Sequence, residues 1–143
     1  MAVRAPKHLY IIGIIVLLWD IMGVVDFTMT LTENEAYLEM AELTAEQVEF
    51  SYNLDTLHVV LWGIAVISGV LGMLALLMRR AAAVDILLIS MLGAISSNAY
   101  TVLFTDCFAV FGKGAAGMLA AVVALAVGVW FYAKSMRQKG VLT

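Results

Sequence analysis

Residues Leu9–Leu31 read LYIIGIIVLLWDIMGVVDFTMTL, a run with no basic side chain and only two acids. As a helix rising about 1.5 Å per residue it is long enough to cross the ~30 Å hydrocarbon core of a bilayer. A secretory signal has a shorter apolar region followed by a small-residue cleavage site, and no A-x-A pattern follows here. The run is therefore expected to be a retained transmembrane helix. What it leaves unexplained is Asp20 and Asp26, two carboxylates with no cation beside them in the sequence.

The rest of the chain has the same character. Its 143 residues are 64% hydrophobic and 13% charged, with a mean hydropathy of +1.00. Soluble domains are nearer half apolar and a quarter charged, and a core of this size could not hide the surplus. Three further runs are long enough to span: Leu57–Met78, Val84–Thr105 and Ala115–Ala133. The expected fold is all-α, a single domain over residues 1–143. It is an up-down bundle of four transmembrane helices, because short connections make consecutive helices antiparallel neighbours. The lone Cys107 leaves no internal disulfide, and the lone Pro6 precedes every apolar run.

Charge sets the orientation. Arg4, Lys7, Arg79, Arg80, Lys134, Arg137 and Lys139 fall on one side of the four spans, and only Lys113 falls on the other. The positive-inside rule then places both termini in the cytoplasm, in what is expected to be a bacterial inner membrane. The loop Thr32–Thr56 carries Glu33, Glu35, Glu39, Glu42, Glu46, Glu49 and Asp55 without a basic residue, and is expected outside. Within it, ENEAYLEMAEL is rich in helix formers, and Thr44 to Gln47 fits a capping box. A short helical hairpin over the outer end of the bundle is the expectation; a solvated acidic loop is the alternative.

Close helix contact in lipid needs small residues, since the hydrophobic effect gives little drive between helices there. The second span offers Ala65, Gly69 and Gly72 with Ser68, the third Gly93 and Ser97. The fourth offers Gly117 with Ala121 and the stripe Ala120, Ala124, Gly128. These either hold the bundle together or join subunits, and the stripe on the last span points to a homo-oligomer, most simply a dimer.

The polar residues within the spans form two expected layers. Asp20 lies roughly 16 Å from the start of its span, near the midplane, and can meet Ser68 and Ser97. Asp26 lies about 7 Å from the other boundary, in reach of His58, Asn98, Tyr100 and Thr101, with Trp62 nearby. The two acids are six residues apart, about 120° around the helix, so each is expected to have its own surroundings. A charged Asp at mid-bilayer costs roughly 2.5–3.5 kcal/mol on insertion scales. A protonated Asp20 that donates a hydrogen bond avoids most of that cost. It is then either a proton-titrating or ligand-binding group, or an interhelical peg. His58 is either an interfacial amphipath or the partner of Asp26.

The candidate substrate- or proton-binding residues are thus Asp20, Asp26, His58, Trp62, Ser97, Asn98, Tyr100 and Thr101. No metal or cofactor site is expected, since Asp55, His58 and Asp106 lack a diagnostic ligand spacing. Nor does the sequence hold a phosphate-binding glycine motif, a nucleophile elbow or a nucleic-acid signature, so neither an enzyme nor a nucleic-acid partner is expected.

WDIMGVVDFTMTLTENEAYL, the acidic segment after it, an apolar helix ending in RR, and LLISMLG in the third span resemble a group of small four-helix bacterial inner-membrane proteins. Some of these are labelled "sugar transporter". The matching positions are Trp19, Asp20, Gly23, Asp26, Asn34, Glu35, Ala36, Tyr37, Trp62, Gly63, Gly69, Arg79, Arg80, Ser90 and Gly93. They cover about the first hundred residues, while the last span matches only in its small-residue character.

Two functions suit this layout: a proton-linked transporter or channel for a polar solute, acting as an oligomer, and an accessory or assembly subunit of a larger membrane complex. A wet cavity around Asp20 would favour the first, and a dry hydrogen-bonded Asp20 the second. Single cysteines in a Cys107-free background check orientation and assembly together. Glu42→Cys should react with an impermeant maleimide on intact cells, Gln138→Cys should not, and Ala124→Cys should crosslink two copies. Labelling of Gln138→Cys alone would reverse the topology.

Overall fold

The computed structural model describes residues 3–143. Among them the only secondary structure is helical: α1 (Lys7–Leu31), α2 (Glu35–Met40), α3 (Ala45–Tyr52), α4 (Thr56–Leu77), α5 (Ala83–Phe104), α6 (Cys107–Phe111) and α7 (Gly114–Gln138). Four of these, α1, α4, α5 and α7, are long and apolar enough to cross a membrane. Each starts or ends within two residues of the run read from hydropathy, except the end of α7. That helix continues to Gln138, because Lys134 and Arg137 are good helix formers and no glycine or proline lies between Ala133 and Gly140.

Many large apolar side chains face outward, among them Ile11, Ile15, Met22, Leu71, Leu103 and Phe131. In water such a surface would aggregate; in a bilayer it is the surface that lipid tails cover.

The long helices are arranged around the pair α4–α5, which has the most extensive contact. α1 lies against α4, and α7 against α5. Backbone meets backbone where the pair is tightest: a Cβ on Gly93 would lie 3.0 Å from the Ala65 nitrogen. About two turns toward the other end, a Cβ on Gly72 would run into the Leu87 side chain, at 2.6 Å. The small residues of α4 and α5 are therefore interior contacts. Those of α7 are not: Ala120, Ala124 and Gly128 are all exposed.

At the end holding the chain termini, Leu9, Met73, Leu76, Ala133 and Met136 pack into the main core with Val141 and Leu142. Arg79 ties this end together. It has a left-handed backbone, φ 60, which lets the chain turn tightly after α4. Its Nε donates to the Val141 carbonyl at 3.0 Å, and a terminal NH2 donates to the Val3 carbonyl at 2.6 Å. Backbone bonds from the Thr143 nitrogen to the Arg79 carbonyl and from the Ala81 nitrogen to the Thr143 carbonyl complete the closure. His8 Nδ1 and the Tyr132 hydroxyl, 2.7 Å apart, join α1 to α7 here.

The short helices cap the opposite end. Asn34 caps α2 by accepting from the Tyr37 nitrogen, and Thr44 and Gln47 form the capping box of α3. Gln47 also donates to the Val110 carbonyl, and Phe50 meets Phe111 edge to face. The acidic segment is thus helical and seated on α6.

Gly93→Ala should lower the detergent melting temperature measurably, because overpacking against backbone typically costs about 1–3 kcal/mol. Gly114→Ala, where an added Cβ meets no neighbour within 4 Å, should leave it unchanged or slightly raised. Equal melting temperatures for the two variants would argue against the close α4–α5 approach.

Candidate functional site

Beyond the core that joins α1 and α7 at the terminal end, a partly open cavity of about 640 Å³ lies among the helices, its rim including the outward-facing Met22 and Met118. α1 lines it from Val16 to Thr30, and α7 from Met118 to Val129. Leu38, Leu43, Phe50 and Phe111 line it from the capping elements. The volume falls within the range of small-molecule sites, ~300–1,000 Å³.

Both α1 carboxylates reach this cavity. In an α-helix each step of three residues turns the direction by about −60°, so Asp20 and Asp26 flank a stripe centred on Gly23. They keep separate surroundings within one space. Asp20 is half-buried beside Gly69: a Cβ there would lie 3.2 Å from both the Asp20 carboxyl carbon and the Ser90 Oγ. Gly69 thus leaves the room that these two side chains fill. The Ser90 hydroxyl donates to the Ala65 carbonyl at 2.8 Å, which fixes its position.

This corrects the expected midplane layer. Ser68 does not meet Asp20; its hydroxyl turns back onto the Ile64 carbonyl of its own helix. Ser97 lines the cavity and is buried, but no hydrogen bond links it to Asp20. The polar side chain that shares the space at Gly69 with Asp20 is Ser90. Its signal in the sequence was a helical face, since Ser90, Ala94, Ser97 and Thr101 recur at steps of four, three and four.

The outer layer differs as well. Asp26 accepts a hydrogen bond from the Tyr37 hydroxyl, 2.9 Å, so its partner comes from α2 rather than from His58 or Asn98. His58 instead shares a 3.1 Å hydrogen bond with Thr101 Oγ1. Only 8% exposed, it lines the cavity with its Nδ1 unpartnered. Asn98 donates to the Ala94 carbonyl at 2.7 Å and leaves its Oδ1 unpartnered. Trp62 lines the cavity, held edge to face against Phe27 at 5.0 Å.

Tyr100 is the one candidate that does not line the cavity, although its ring lies 5.6 Å from that of His58. It faces a separate groove with Asp55, Phe104 and Thr105, because it sits one residue, about 100°, away from the Ser97–Thr101 face. Seven of the eight candidates line one cavity; Ser90, Tyr37 and Thr30 join them there. Tyr37 is among the positions that carry the family resemblance, but a contact across the turn between two helices has no periodic signature.

No protein-family model, curated protein or solved structure matches the chain.

Tyr37 lies on the cap, and burial, followed by the hydrogen bond and the charge of Asp26, holds its phenol above the ordinary tyrosine value. Subtracting the alkaline absorbance titration of Tyr37→Phe from that of the parent should isolate a tyrosine titrating above about 10. In an Asp26→Asn background the same difference curve should move to lower pH, with the burial part of the shift retained. No movement would mean that Tyr37 and Asp26 do not meet.

Proposed function

We propose that this chain is a proton-linked carrier or channel for a polar solute. In this reading it sits in a bacterial inner membrane, both termini cytoplasmic and the acidic cap outside, and acts as an oligomer. The observation that carries the proposal is the cavity: the Asp20 carboxyl stands in it at mid-span instead of being packed against a donor. A structural peg gains its stability from a saturated hydrogen bond, and a half-satisfied buried network is costly to a fold that has no use for it. Intramembrane ionisable groups facing a cavity mark solute and proton paths.

The roles follow from depth. Asp26 and Tyr37, under the cap, receive solute; His58 and Thr101 form the next polar pair on α4 and α5; Asp20 is the deepest acid and the group that exchanges a proton. The core of Leu9, Met73 and Leu76 beyond it is the barrier toward the terminal end. An up-down bundle of four helices encloses little space, so a second copy completes the path. The exposed stripe of α7 is the surface offered to it.

That same exposed helix is what favours the second reading, an accessory subunit that lays α7 against a larger membrane partner. The two part on Asp20. In proteoliposomes with an internal pH dye, the parent should couple solute entry to proton flux. Asp20→Asn should fold normally and lose the coupling, by tenfold or more, while Asp26→Asn should weaken solute binding first. Unchanged proton flux in Asp20→Asn would remove Asp20 from the mechanism. A partner co-purifying in fixed ratio, with no flux from the chain alone, would favour the accessory reading.

A further inference from the structure

We infer that the solute is an organic cation with a sizeable apolar body. The inference rests on the reading of the cavity as a solute site and narrows what that site accepts. The first observation is charge. Two carboxylates line the cavity and no lysine or arginine does. Asp20 is half-buried with no hydrogen-bond donor against it, so its charge is expensive and a bound cation supplies the missing partner, while Asp26 is exposed and already accepts from Tyr37. A neutral polyol leaves the Asp20 charge without a partner, and an anion is repelled by both acids.

The second observation is the asymmetry of the walls. The acids, the buried His58 with its free Nδ1, and the hydroxyls all come from α1, α4, α5 and the cap. The α7 wall is entirely apolar, formed by such residues as Met118, Val122 and Leu125. A small inorganic ion makes no use of that wall. A metal ion would in addition need several ligands together, and no group of three or more His, Cys, Asp or Glu side chains is gathered among the described residues. A ligand with a charged end toward Asp20 and Asp26 and a hydrocarbon body against α7 uses both walls. Trp19, Trp62 and Tyr37 all line the same space, and aromatic rings are favourable neighbours for such a cation.

Tetraphenylphosphonium and tetraphenylborate, alike in shape and opposite in charge, test this on the purified protein in phosphatidylcholine nanodiscs, with empty nanodiscs subtracted. Equilibrium dialysis should give saturable phosphonium binding, on the order of tenfold or more tighter than the borate. Asp20→Asn and Asp26→Asn should each weaken it by about tenfold. Val122→Trp, which fills the cavity from the apolar side and leaves both acids in place, should abolish it with helical circular dichroism unchanged. Equal binding of the two probes, no saturable phosphonium binding, or full binding to both Asn variants would overturn the inference. Proton-coupled entry of glucose without phosphonium binding would overturn it too, and leave the carrier reading standing. Carboxylate-dependent phosphonium binding without any flux would support the inference and remove the carrier.

Discussion

The approach of α4 to α5 at Ala65 and Gly93 is the contact on which the remaining structure hangs. Because a glycine faces a backbone nitrogen there, the two helices sit closer than larger side chains would permit. That closeness brings Ser90 to the Ala65 carbonyl and His58 to Thr101. It also leaves the groove at Gly69 in which the Asp20 carboxyl rests. α1 and α7 lean on opposite members of the pair, and the cavity is the space that remains between them once they have met at the terminal end.

The four spans were readable because lipid imposes a length and a polarity that few soluble sequences satisfy. The glycines of α4 and α5 were readable as contact residues for a related reason. What the sequence could not resolve was which polar side chain meets which. Ser68 and Ser90 look alike in a string. Ser68 saturates itself on Ile64 of its own helix, an option open to any serine on a helix. Ser90 reaches across to the neighbouring helix, and only the register of α4 against α5 decides that.

Asp26 shows the same limit at a turn. Depth counting placed it correctly in the half nearest the short helices, and its nearest depth-matched partners on other spans were His58 and Asn98. The contact actually made comes from Tyr37, eleven residues on, folded back by the reversal after α1. Periodicity carries no information about such a reversal. Tyr100 was at the right depth and its ring meets that of His58, but a single step of helix rotation keeps it off the cavity wall.

Arg79 has a bearing on the order in which the molecule assembles. Its guanidinium holds carbonyls 76 positions before it and 62 positions after it. The second of these arrives only behind α7, so the clasp closes after the last span has entered the membrane. Until then the terminal core lacks Ala133, Met136, Val141 and Leu142, and Arg79 has only the local turn to hold its left-handed backbone. Contacts this distant in sequence form slowly. For that interval α1, α4 and α5 lack both the clasp and the cover that α7 later lays over α5.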